Sequence, residues 1–134
     1  MPYFSSNSKA KLKTCHPKIQ KIMEYAIKYV DFTILEGIRT FERQKELVQQ
    51  NKSKTMNSKH LPDKNGQSRA IDIAPYPIDW HNRERFILFA GFILGIAQAM
   101  GIKLISGIDW DRDFYIKDHN FFDAPHFQLA DEED

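Results

Sequence analysis

The segment Ala70-Ile71-Asp72-Ile73-Ala74-Pro75 constrains this chain more than any other. Its alternation has period two, so it predicts a strand with Ile71 and Ile73 on one face and Ala70, Asp72 and Ala74 on the other. Aspartate disfavours strands and is costly when buried without a partner. A carboxylate between two isoleucines, on a face kept clear by two alanines, therefore asks for a partner, and a metal ion would serve. The plainer reading, a cap or turn residue, fits poorly in mid-strand.

Two other stretches offer partners for Asp72. Ser58-Lys59-His60 lies in a Lys-, Ser-, Asn- and Gly-rich loop over residues 51–69, and Asp123-Ala124-Pro125-His126-Phe127-Gln128-Leu129 closes the chain's last apolar segment. The latter predicts a final strand, His126 to Leu129, with His126 and Gln128 on one face and Phe127 and Leu129 on the other. Hydrolytic zinc enzymes hold the ion with three side chains drawn from His, Asp and Glu and leave a fourth position for water. His60, Asp72 and His126 supply such a set. Pro125 interrupts regular structure, so a turn can bring Asp123 beside them as the carboxylate that takes and returns a proton. Alone, His126 reads as a satisfied half-buried histidine and Asp123 as a turn residue; it is the combination that favours chemistry. His16, His81 and His119 are alternative ligands, and each suits a surface or capping position better.

The remaining chain reads as scaffold. Pro17 opens a helix whose apolar face is Ile19, Ile22, Met23, Ala26, Ile27 and Val30. Phe32 to Glu36 reads as a short strand ended by Gly37, and Thr40 caps a helix over about residues 41–50. Arg39 falls at that strand-to-helix junction, where functional side chains often sit. Asp79 is the expected cap of a long helix ending near Met100, with Gly101 after it and a strand at Ile102 to Ile105. The run Phe86 to Ala97 is apolar on all sides, yet its twelve residues fall short of the ~20 that span a bilayer, so a buried central helix is expected and no stable membrane insertion.

Length and charge bound the function classes. At 134 residues the chain is expected to be one domain, 1–134, and 19 Lys plus Arg against 18 Asp plus Glu leave no basic footprint for nucleic acid. That disfavours a metal nuclease built on His119-Asn120 or His81-Asn82. The lone Cys15 cannot form an internal disulfide and is read as packing beside a helix rather than as a nucleophile. The first residues lack the pattern of a signal peptide, so release from the cytoplasm would need another agent. Asp109, Asp111 and Asp113 imitate the first ligand positions of a calcium loop, but Phe114 replaces the required glycine and no glutamate stands at the twelfth position. Trp110 is equally suited to lining a cleft or to the core.

Four ordered motifs, Glu36-Gly37-Ile38-Arg39-Thr40, Ser58-Lys59-His60, Ala70-Ile71-Asp72 and Asp123 to Leu129, resemble those of the zinc D-Ala-D-Ala carboxypeptidase and L-alanyl-D-glutamate endopeptidase family, which includes small phage endolysins. The resemblance implies an α+β fold, a small antiparallel sheet carrying a zinc site and packed by helices, related to the zinc-bearing domain of hedgehog proteins. It places Zn2+ on His60, Asp72 and His126, the acid/base on Asp123, and substrate carboxylate binding or carbonyl polarisation on Arg39. It further implies a monomer acting on the stem peptide of bacterial peptidoglycan, most simply at the L-alanyl-D-glutamate bond. Such an enzyme accumulates in the host cytoplasm until a holin opens the membrane. A D-Ala-D-Ala carboxypeptidase is the nearest alternative, and a non-catalytic zinc-stabilised binding module is the alternative from another class. The interval from His60 to Asp72, twelve positions, is longer than is common in the family and reads as a loop insertion turned by Pro62 and Asn65-Gly66.

Overall fold

The computed structural model describes residues 2–53, 55–116 and 122–134. Among these the chain forms α1 (Ser6–Leu12), α2 (Pro17–Ala26), β1 (Phe32–Glu36), α3 (Phe41–Gln49), β2 (Ala70–Pro75), α4 (Arg83–Ala99), β3 (Leu104–Ser106) and β4 (His126–Leu129). The strands make one antiparallel sheet in the order β1-β2-β4-β3. This is the small α+β architecture expected from the sequence.

Strand alternation gives the sheet two different faces. Phe32, Ile34, Ile71, Ile73, Phe127, Leu129 and Leu104 are buried and meet α2 and α4 in one apolar core. Phe32 and Phe89 of α4 bring their ring centroids to 5.2 Å across that layer. On the opposite face the register sets Asp72 directly against His126 and Ala70 against Gln128. Between β1 and β2 the register slips by one residue, so that Ile34 opposes Ile73 while Glu36 opposes Asp72. Without this bulge, alternation from Phe32 and Ile34 would turn Glu36 into the core; with it, Glu36 shares the face of Asp72.

Several boundaries differ from expectation for local reasons. α1 is an element the sequence reading does not anticipate: seven residues with little apolar pattern, capped by Ser5, whose hydroxyl accepts from Ser8 N at 3.1 Å. Its buried Ser8 and Leu12 dock on β1, where Ser8 Oγ accepts from Ile34 N. α4 is capped by Asn82, not Asp79; Asn82 Oδ1 accepts from Arg85 N, while Asp79 closes the preceding turn by accepting from His81 N. Nor is α4 a buried central helix. Phe86, Phe89, Ala90, Ile93, Ile96 and Ala97 face the core, but Leu88 is 77% exposed. The run is apolar all round, yet packing covers only one side of it. No described helix is long and apolar enough to cross a membrane. β3 begins at Leu104 rather than Ile102, because Gly101 takes a positive φ of 72° and Ile102 N returns to Ala97 O at the end of α4.

Cys15 is fully buried, and burial pushes its thiol up to about 12, which suits packing and not nucleophilic work.

Candidate metal centre

Three elements deliver the candidate ligands. Asp72 and His126 come from the facing positions of β2 and β4. His60 arrives on the 51–69 loop, held there by its neighbours: Arg39 N donates to His60 O at 2.8 Å and Arg69 N to Lys59 O at 3.0 Å. The residues between His60 and β2, expected to be a loop insertion, form a turn in which the Asp63 carboxylate accepts from Asn65 N and Gln67 N at 2.8 and 3.0 Å and Gly66 takes a φ of 76°. This segment therefore closes on itself beside His60.

His60, Asp72 and His126 converge so that one ligand atom from each lies within 4.8 Å of the others. Asp72 Oδ1 is 3.3 Å from His60 Nε2 and 3.2 Å from His126 Nδ1. The opposite nitrogen of each ring is already committed. His60 Nδ1 is 2.7 Å from Gly37 O, a carbonyl that can only accept, so the proton of the neutral ring sits on Nδ1. His126 Nε2 faces Gln128 Oε1 at 2.8 Å in the same manner. In the neutral rings, the two lone pairs then point at a carboxylate oxygen. Such an arrangement is stable only with a cation among the three, either a proton or a metal ion. The donor set, two imidazole nitrogens and one carboxylate with outer hydrogen bonds fixing both tautomers, fits a divalent transition metal.

The electrostatics follow from the same contacts. Burial alone would raise the pKa of Asp72, but the two imidazoles outweigh it and hold the carboxyl well below the usual range. Burial opposes charge on His126, yet its hydrogen bond to Asp72 and that carboxylate's charge raise its pKa above the ordinary value. Asp123 is shifted the other way: burial and the negative charge of Asp72 raise its pKa, against the lowering influence of His126, His60 and Arg39.

Asp123 reaches the site through a turn. Its N–H donates to Gly107 O, its carbonyl accepts from His126 N, and Gly107 N donates to His126 O. Gly107 has no room for a side chain, because a Cβ there would collide with the Asp123 carbonyl. Asp123, Arg39, Glu36 and Trp110 line one cavity of about 600 Å³ with the His-Asp-His group. Trp110 sits beside His126, ring centroids 5.3 Å apart, so of its two expected places it takes the cleft wall. Arg39 is held by Glu36 Oε1, which accepts from Nε at 3.0 Å and also from Nη2, and by Gln44 Oε1, which accepts from Nη1 at 2.6 Å.

The sequence of the chain matches the model of the phage L-alanyl-D-glutamate peptidase family over residues 1–130. The chain belongs to that family. It is 31% identical over 138 residues to the L-alanyl-D-glutamate peptidase of Escherichia phage T5, a match spanning 95% of this chain and 97% of that one. Among solved structures it resembles the Serratia marcescens L-Ala D-Glu endopeptidase ChiX with a TM-score of 0.75 and 28% identity, covering 95% of this chain and 89% of the other.

In this family member the other histidines stand apart from the group. His16 caps α2, its Nδ1 accepting from Lys18 N, and His81 is exposed before α4. His119 and Asn120 lie outside the described residues. The carboxylates of Asp109, Asp111 and Asp113 also come within 4.8 Å of one another. Local backbone N–H groups serve two of them: Asp109 accepts from Asp113 N and Phe114 N, and Asp113 from Tyr115 N. Sequence reasoning missed Glu36, Gly37, Gln44 and Gln128 as parts of the candidate site. Gln128 left a signal in its shared strand face with His126, and Glu36 and Gly37 stood in the motif before Arg39 without a role; these two act through a bulge and a carbonyl and Gln44 through a buried amide, none of which a residue type announces.

Proposed function

We propose that this chain is a zinc-dependent peptidoglycan peptidase, a phage endolysin that cuts the L-alanyl-D-glutamate bond of the stem peptide. His60, Asp72 and His126 would hold the ion, and the observation that carries the reading is their convergence, with both imidazole tautomers fixed, in a member of this family. Bound zinc supplies Lewis acidity, lowering the pKa of a water and polarising the scissile carbonyl.

The chain's own groups handle the rest. Asp123 accepts the proton from the attacking water as its oxygen bonds to the L-alanyl carbonyl carbon. It returns that proton to the D-glutamate nitrogen as the C–N bond breaks, leaving an L-alanyl carboxylate and a free D-glutamate amine. Its raised pKa suits a proton acceptor, because burial and the neighbouring Asp72 make it more basic than an ordinary carboxylate. Arg39 keeps two of its five N–H donors unengaged among the described residues, and these can hold the carbonyl oxygen or a stem-peptide carboxylate. Trp110 forms a wall for the peptide. The protein acts as a single-domain monomer that accumulates in the host cytoplasm and reaches the wall after a holin opens the membrane.

Incubation of purified sacculi with the protein, followed by mass spectrometry of the new termini, tests this. A new D-glutamate amine is expected. Released D-alanine would replace the endopeptidase with a D,D-carboxypeptidase, and unchanged sacculi with stoichiometric zinc would point to a binding module. Elemental analysis of the purified protein is expected to give one zinc per chain.

A further inference from the structure

Gln44 is one of the most deeply buried side chains in the protein, 0% exposed on a helix whose other residues are largely open to water. Burying an amide is unfavourable unless its polar atoms are paired. All of them are. Oε1 accepts from Arg39 Nη1 at 2.6 Å, and Nε2 donates to Ser53 Oγ at 2.8 Å and to the Thr55 carbonyl. Gln44 does not line the cavity, whereas Arg39, Ser53 and Thr55 do. Glu36, just past the bulge in β1, grips the same guanidinium from the Nε and Nη2 side. The planar group is thus pinned from two elements, and its remaining N–H donors engage no other described residue.

We propose that Gln44 is a positioning residue for Arg39: it fixes the plane of the guanidinium and ties that orientation to the loop through Ser53 and Thr55. The inference rests on the reading above for what Arg39 does. An amide is the side chain this position requires, since one acceptor must face Arg39 while two donors face the loop. A thioether would satisfy none of these partners. A carboxylate would keep the acceptor toward Arg39 but set its second oxygen against the Thr55 carbonyl.

A double-mutant cycle on a muropeptide substrate tests this, with Gln44→Met, Arg39→Ala and both together, each checked for zinc content. Gln44→Met is expected to lower kcat about 10- to 100-fold with KM little changed, the size of loss that a misplaced catalytic group produces. In the Arg39→Ala background the same change is expected to have almost no further effect. Wild-type kcat in Gln44→Met, or losses that multiply in the double variant, would overturn the proposal. Should Gln44→Met not fold, Gln44→Glu and Gln44→Asn replace it: the first keeps the acceptor at the same reach and the second withdraws it. Activity must then fall in the order wild type, Glu, Asn, and the reverse order of the two variants sinks the idea. NMR of the Arg39 guanidinium gives a readout independent of turnover. Slowly exchanging Nη hydrogens are expected in the wild type and rapid exchange in the Gln44 variants; identical exchange would count against the role even if the wild type cut no sacculi.

Discussion

Asp72 Oδ1 lies within 3.3 Å of one nitrogen of His60 and within 3.2 Å of one of His126, and each ring has its other nitrogen facing an acceptor. Removing one residue from such a set has different consequences according to whether it holds the cation or moves a proton. His126→Ala deletes a proposed ligand and the partner of the Asp72 carboxylate, so elemental analysis is expected to show zinc lost together with activity. Asp123→Ala leaves the three ligands and their outer hydrogen bonds untouched. It is expected to retain one zinc per chain and the wild-type melting temperature while kcat falls about 10²- to 10⁴-fold, the range typical of a lost general acid–base. Undiminished hydrolysis by Asp123→Ala would remove Asp123 from the mechanism.

Single elements set where these groups stand. The bulge in β1 re-aims Glu36, and the close passage of Gly107 against Asp123 lets the turn before β4 lie flat on the end of β3. Gly107→Ala must push the Asp123 carbonyl away. Activity is expected to fall at least about tenfold with zinc retained, since the proposed ligands lie on the 51–69 loop, on β2 and beyond the turn, and a displacement near 1 Å has effects of this order. The orientation of α4 gives a test of packing. Ile93 is fully buried and Leu88 is 77% exposed, so Ile93→Ala should destabilise by ~2–5 kcal/mol and Leu88→Lys by less than ~0.5 kcal/mol in urea melts. Equal losses would mean that both sides of the helix are covered in solution.

The whole molecule is a sheet with one face committed to an apolar core and the other to titratable groups, so stability should depend on pH through the second face. Chelation exposes this dependence. The depressed pKa of Asp72 contributes stability that is present above its ordinary value of 3.8 and is lost as pH falls through the folded-state pKa. The raised pKa of His126 contributes stability that is present below its ordinary value of 6.5 and is lost as pH rises through the folded-state pKa. Asp123, its pKa raised above 3.8 by burial and by Asp72, adds a penalty that sets in as pH rises above 3.8 and is complete above its folded-state pKa. The metal-free protein should therefore melt highest in weak acid. Zinc bound at the proposed site would replace the protons on these side chains, so its stabilisation should grow with pH. The difference in Tm between zinc-loaded and chelated protein is expected to widen from about pH 5 to about pH 8 by that linkage; a constant or shrinking difference would contradict it.

The sequence by itself determined the strand at Ala70 to Ala74, with Asp72 on its cleared face, the strand at His126 to Leu129, and the pairing of these with His60 as one chemical set. Alternation fixes a side chain's face wherever one side of a strand is buried, and few residue types serve as metal ligands. The same periodicity could not place α1, whose docking depends on Ser8 and Leu12 meeting β1, nor orient α4, where an all-apolar run offers no moment and only packing chooses the covered side. Tertiary structure alone decided the register that sets Asp72 opposite both His126 and Glu36. It also supplied the outer partners, the Gly37 carbonyl behind His60, Gln128 behind His126 and Gln44 behind Arg39. These are hydrogen bonds between groups distant in the chain or between a side chain and any residue's backbone, and no local pattern encodes them.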